Sequence, residues 1–252
     1  TEDVQGHSNA PMAAQLFGGA GVEYQARYGT KNETFAKISE KARRHAAHNP
    51  RAIFRTPLTV EEILGSPPIY GVLTRFQCCP PTCGAAAAIV CSEAFARRHN
   101  LTPSIAITGQ AMTTDFGSTF SEKSLMKVVG YDMTAEAARQ VYEQVDVVEL
   151  HDCFTANELI TYEALGLTPE GTAERFIWDG DNTYGWKVVT NPSGGLLAKG
   201  HPLGATGLGQ CAELVWQLRG QAGVRQVEDA KIALQHNIGL GGACVVTMYQ
   251  RL

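Results

Sequence analysis

No run of 18 consecutive apolar residues occurs in this chain of 252 residues, so no membrane-spanning helix is expected. Charge is sparse, at 18% of residues, and 21 basic against 25 acidic side chains leave a formal net charge of -4. That balance argues against binding nucleic acid by bulk charge. The opening Thr1-Glu2-Asp3 has neither the basic nor the apolar region of a signal peptide, and none is expected. Disorder is excluded too, because 44% of residues are hydrophobic and the net charge is low. The seven cysteines form an odd set, several among apolar neighbours, as in Ala243-Cys244-Val245-Val246. Free buried thiols fit this better than a disulfide framework. Cys79 and Cys83 lack a second pair at zinc-like spacing, so no metal site is expected.

What is present reads as a globular α/β protein of one large or two small domains, at roughly 150 residues per domain. Residues 1 to about 70 are polar and broken by Gly and Pro; within them Lys31 to His48 is helix-prone, and Thr59 caps Val60-Glu61-Glu62-Ile63-Leu64. From Gly71 the character changes, with a small apolar run, Gly84 to Val90, followed by helix-like Ser92 to His99. Ile105 to Gln110, Val145 to Leu150, Ala230 to Leu234 and Ala243 to Tyr249 read as strands, being short, apolar and β-branched. Helix-like Ala135 to Gln144, Asn157 to Leu165 and Gly207 to Arg219 alternate with them, which implies layers. One junction is awkward: no Gly, Pro, Asn or Ser separates the helix ending at Gln144 from the strand starting at Val145. A return to a sheet normally takes about 2–6 loop residues. Residues are therefore expected to be absent between Gln144 and Val145.

Three constellations could carry chemistry. His151-Asp152-Cys153-Phe154 follows a strand and precedes a helix, where α/β proteins place reactive groups. A histidine there can donate to a carbonyl oxygen, and a cysteine can exchange a proton or act as nucleophile. The plain alternative is a helix capped by Asp152 or Thr155, with Cys153 in the core. The second stretch, Asn191 to Gly207, holds five glycines and fixes His201 between Gly200 and Pro202. It is a poor phosphate loop, since no Gly-Lys-Ser/Thr ending occurs. A neutral histidine at such a turn suits a base that activates a thiol; glycines for turns beside a bystander histidine is the alternative. The third, His236 to Gly242, reads as a Gly-rich turn between strands whose N–H groups could stabilise an oxyanion.

Together the three resemble the thiolases. Asn191 to Gly207 is similar to the signature around the thiolase Gly-His-Pro loop, and His151-Asp152-Cys153-Phe154 resembles the loop of sterol-carrier-protein-type thiolases. Tyr28-Gly29-Thr30 through Phe35-Ala36-Lys37, Gln77-Cys78-Cys79-Pro80 and Asp181-Asn182-Thr183-Tyr184-Gly185 match as well. The resemblance implies a layered α-β-α-β-α core and thiolytic cleavage of a 3-oxoacyl-CoA, or the reverse Claisen condensation. Coenzyme A is then a substrate, and no resident cofactor or metal is implied. His201 would activate the nucleophilic thiol, and His151 would help polarise the thioester oxygen of the leaving enolate. Cys153 would replace the acid/base cysteine of the late loop, where Gly239-Leu240-Gly241 stands instead. The N–H groups of Gly239 or Gly241 would form the second oxyanion hole, and Ser193 and Gly194 would lie near the pantetheine arm.

Two departures follow from the same resemblance. No Asn-Cys-Ser-like nucleophile loop occurs, so roughly the N-terminal third of a thiolase has no counterpart and the nucleophile cannot be named. The usual Asp-Gly-Ala reads Cys83-Gly84-Ala85. Cys78, Cys79 and Cys83 occupy a structural strand approach and are not expected to be the nucleophile. Residues 1–70 would be the remnant of the loop domain over CoA, 71–100 the end of the first half and 101–252 the second half. Expected partners are an acyl-CoA and further copies of the chain as a homodimer or larger oligomer, without nucleic acid or a membrane span. The compartment expected is the bacterial cytosol, or the peroxisomal matrix in a eukaryote. Two alternatives stay open: a thiolase-like retro-aldolase working with a partner protein, and a non-catalytic acyl-CoA-binding subunit. A metal hydrolase using His151, Asp152, His201 and His236 is more distant. The expected geometry is convergence of His151, Cys153 and His201 on one pocket.

Overall fold

Short, continuously apolar strands need cover on both faces, and Val147-Val148 is the strand that organises this molecule. The computed structural model describes residues 8–141 and 144–252. Its elements run α1 (Met12–Tyr28), α2 (Asn32–Ala46), α3 (Val60–Leu64), β1 (Pro68–Tyr70), β2 (Leu73–Thr74), α4 (Glu93–Arg98), β3 (Ile105–Thr113), α5 (Gly117–Ser121), α6 (Leu125–Val128) and α7 (Tyr131–Val141). There follow β4 (Val147–Glu149), α8 (Thr155–Ala164), α9 (Ala173–Trp178), β5 (Val189–Thr190), α10 (Gly195–Ala198), α11 (Thr206–Leu218), β6 (Ile232–Gly239) and β7 (Ala243–Arg251). The main sheet has five strands in the order β3-β7-β6-β4-β5. β4 runs parallel to β5 and β6, while β7 is antiparallel to β3 and β6.

Strand alternation sends neighbouring side chains to opposite faces. Val148, Leu234, Val246 and Met248 join a large cluster with α1, α2, α7 and α8, whereas Val147, Ala233 and Tyr249 join Leu214 and Leu218 of α11. The result is a layered α/β core. Every residue of α8 is buried, so this helix lies inside the molecule between the sheet and the α1–α2 pair. Helix α1 was not expected in a stretch so rich in glycine. It forms because the glycines face neighbouring chain: a Cβ on Gly21 would come within 2.5 Å of Val72 and 3.0 Å of Ala156. Thr59 and Glu62 close a capping box at α3, as the sequence implies.

The helix before β4 is described as Tyr131–Val141, and the strand starts at Val147, inside its expected boundary. Residues 142 and 143, next to the Gln144–Val145 junction, lie outside the described residues. The apolar run Gly84 to Val90 carries no strand pairing, and Ile89 is fully exposed. Among the described residues no helix is long and apolar enough to cross a membrane, and no group of three or more His, Cys, Asp or Glu could hold a metal ion.

Candidate active site

The turn after β4 and the loop between β5 and α11 are zipped together by buried side chains. Glu149 accepts from the Ser193 amide at 3.0 Å and from its hydroxyl at 2.8 Å. Asp152 accepts from the amides of Leu196 at 2.7 Å and Leu197 at 3.3 Å, at the start of α10. The Leu150 amide donates to Asn191 Oδ1 at 2.8 Å. Gly195 is obligatory beneath this clamp: its φ is +61°, and a Cβ would stand 2.0 Å from Asp152 Oδ2. Burial, reinforced by Glu158, pushes the Asp152 carboxyl up to about 8 against the pull of its amide donors, and burial pushes Glu149 up to about 7. Beneath them Lys41 forms a buried ion pair with Glu158 and reaches Tyr162 Oη at 3.0 Å.

The clamp brings His151 and His201 together from opposite loops, 50 positions apart in sequence. Their ring centroids lie 5.0 Å apart, edge to face at 89°. Burial, with each ring near another positive group, lowers His151 to about 3 and His201 to about 4, so both are neutral at pH 7. His201 Nδ1 lies 2.7 Å from Thr206 Oγ1, and that hydroxyl donates to the Pro202 carbonyl at 3.1 Å. His151 is held by Asn157, which donates to its carbonyl, by its own amide against His236 Nδ1 at 3.4 Å, and by Nδ1 against Asn237 Oδ1 at 3.4 Å.

Cys153 is buried two residues beyond His151, and its carbonyl accepts from the Cys79 amide at 2.9 Å. Burial, with Cys79 and Asp152 adding to it, pushes its thiol well above the usual range, so it keeps its proton. The described contacts tie Cys153 to Cys79, and none joins it to either imidazole. Burial also pushes Cys78 and Cys79 up to about 12, which makes both poor thiolates at neutral pH. Cys83 is exposed.

Ser193 is fully buried and Gly194 packs its backbone against Ala46. Their bonds shape the loop. Gly239 closes the β6–β7 ladder opposite Ala243, and Gly241, with φ +105°, forms the exposed turn. Neither hydrogen-bonds to His151, Cys153 or His201 among the described residues. The turn itself is shorter than expected, because His236, Asn237 and Ile238 belong to β6. Sequence reasoning missed Asn237 and Gln210. The polar run Gln235-His236-Asn237 inside an otherwise apolar strand is the signal that marks Asn237; Gln210, on α11, has no such local signal.

The family described as thiolase C-terminal domain-like matches residues 118–249. Sterol carrier protein 2 of Rattus norvegicus is 58% identical over 97% of this chain and 46% of its own length. An acetyl-CoA acetyltransferase of Methanothermobacter thermautotrophicus is 39% identical over 89% of this chain and 60% of its own. The chain therefore spans about half the length of the sterol carrier proteins it matches. Among solved structures, the Ltp2-ChsH2(DUF35) aldolase superposes with a TM-score of 0.79 at 24% identity, covering 94% of this chain and 63% of that one. Human mitochondrial 3-ketoacyl-CoA thiolase gives 0.65 at 20% identity, covering 96% and 59%. The matched segment contains both clamped loops and most of the sheet, and the chain belongs to the thiolase C-terminal-domain family.

Proposed function

We propose that this chain carries the acid/base part of an acyl-transfer site for thiolytic cleavage of a 3-oxoacyl-CoA, or the reverse Claisen condensation, with coenzyme A as substrate. The observation behind this reading is the neutral His151–His201 pair, held edge to face by two clamped loops. The Thr206 hydroxyl spends its hydrogen on the Pro202 carbonyl, so it accepts from Nδ1–H of His201. That leaves the Nε2 lone pair of His201 free to take a thiol proton. Cys153, kept protonated by burial, is suited to deliver a proton to the substrate α-carbon. Gly239 and Gly241 are our proposal for amides at the second oxyanion hole. No residue of this chain is assigned as the nucleophile.

The test compares wild type with Cys153→Ala in a protein that also contains the segment or subunit supplying the nucleophile. Positioned acid/base groups contribute about 10²–10⁴-fold in rate, so turnover of a 3-oxoacyl-CoA should fall by that order. Formation of an acyl-enzyme from a simple acyl-CoA, followed by mass spectrometry, should survive better, because it needs no proton at the α-carbon. Equal turnover in both proteins returns Cys153 to the core.

A retro-aldolase working with a partner protein is the second reading. It is favoured by the absence of a described contact between Cys153 and either imidazole. Under it, Cys153→Ala leaves carbon–carbon cleavage of a 3-hydroxyacyl-CoA intact, and thiolysis is absent from wild type.

A further inference from the structure

His151 is expected from sequence to polarise a thioester oxygen, which requires an N–H aimed at the substrate. The hydrogen bonds around its ring oppose that. They form a chain ending at the backbone carbonyl of His236, a group that can only accept. Gln210 Nε2 donates to that carbonyl at 3.4 Å, which turns Gln210 Oε1 the other way. Asn237 Nδ2 donates to Gln210 Oε1 at 2.5 Å, which turns Asn237 Oδ1 toward His151. Oδ1 lies 3.4 Å from His151 Nδ1 and can only accept. The proton of the neutral ring is thus on Nδ1, and Nε2 presents a lone pair. Turning either amide alone places two oxygens or two N–H₂ groups against each other. Gln210 is fully buried, so water does not reach it to repair such a mismatch.

We infer that Asn237, oriented by Gln210, is a positioning residue that holds His151 as the Nδ1–H tautomer, so that His151 enters the reaction as a proton acceptor at Nε2. The reaction is the acyl transfer proposed above, and the inference rests on that reading for its chemistry but not for the tautomer. In the step assigned to Nε2, the S–H bond of the coenzyme A thiol breaks, the proton bonds to Nε2, and sulfur keeps the electron pair as a thiolate. The pocket then holds two like-built acceptors. His201 is pinned through Thr206 to the Pro202 carbonyl, and His151 through two amides to the His236 carbonyl.

Long-range ¹H–¹⁵N correlations on the full chain labelled at histidine test this directly, with the His151 signals identified by their loss in His151→Gln. At pH 7 the wild-type spectrum should show Nδ1 bearing the proton and Nε2 bare. Asn237→Leu removes the acceptor, and the proton should move to Nε2, its preferred site in free imidazole. Gln210→Leu frees the Asn237 amide to turn and should give a mixture of tautomers, which keeps the test open if Asn237→Leu does not fold. A wild-type ring protonated on Nε2, or a tautomer unchanged in both variants, overturns the inference. In turnover, Asn237→Leu should lower kcat by about 10²-fold, the low end for a positioned acid/base group, with KM little changed. If the proton moves as expected while kcat does not, the tautomer assignment stands and the proposed role of His151 in acyl transfer fails.

Discussion

Residues 147–201, which carry many charged side chains, and residues 80–92, which carry none, are both rich in small and apolar residues and meet opposite fates. In the first, β4, the turn through Phe154, all of α8 and most of the Asn191–Gly200 loop are buried. In the second, Ile89 and Val90 stand in solvent without a partner strand among the described residues. The difference lies in partners and not in hydrophobicity. The first stretch meets the amides of Leu150, Ser193 and Leu196 with side-chain oxygens across its two loops, so these donors leave water without leaving bonds unmade, while Asn191 Nδ2, Glu158 Oε2 and Glu163 Oε2 are buried without a partner. The second touches the rest of the molecule mainly at one end, where isolated bridges pair Cys78 with Phe154 and Pro81 with His201.

The sharpest way to break this contrast is to remove one partner inside the buried stretch. Lys41→Met leaves Glu158, inside α8, without its buried ion-pair partner, and such losses cost about 3–5 kcal/mol. Chemical denaturation should show that drop, and Lys41→Met combined with Glu158→Gln should recover much of it. A double variant as unstable as the single one means that the pair is not what supports the layer.

An intermediate effect is expected from pH. His45, His151 and His236 sit near 3 and His201 near 4, all lowered chiefly by burial from 6.5. Their contribution is complete above 6.5 and is lost as pH falls toward those values. Asp152 and Glu149, raised chiefly by burial from 3.8 and 4.5, act in reverse: their contribution is complete below the unfolded values and is lost as pH rises toward about 8 and 7. Four histidines outweigh two carboxyls below 6.5, and only the carboxyls still titrate above it. Thermal midpoints should therefore rise from pH 4 to about 6.5 and decline between 6.5 and 8. A midpoint that climbs steadily to pH 8 removes the carboxyls from the account.

The smallest effect belongs to the exposed run. Ile89→Ser, at a fully exposed position, should change stability by no more than about 0.5 kcal/mol. A loss near that of a core deletion, read from the same denaturation curves, means that residues 84–90 are covered in solution.

Much of the layered core was legible in the sequence. The strands at Ile105, Val147 and Ala243 and the helices after Thr155 and Thr206 lie within a few residues of their expected places, because apolar periodicity and burial agree there. Helix α1 was not legible: its glycines serve close approach to residues distant in sequence, and local propensity records only their cost. The site divides in the same way. His151 and His201 announce themselves through their loops, but Asn237 is tied to His151 by sheet register and to Gln210 by the packing of α11 on β6. Neither relation is local. The burial of Ser193 is not local either, since it is decided by Glu149 on β4.

The two amides beside His151 also set how its ring can change. Because the chain starts at a main-chain carbonyl, no side-chain substitution can reverse its direction; a substitution can only interrupt it. Reversal would need Gln210 and Asn237 to turn together while the ring trades its proton from one nitrogen to the other, with the mismatch at the His236 carbonyl still unresolved. The arrangement behaves as a one-way latch. A proton taken up at Nε2 can leave only from Nε2, on the side where it arrived, so the ring borrows and returns a proton at the pocket and does not conduct it through to the interior.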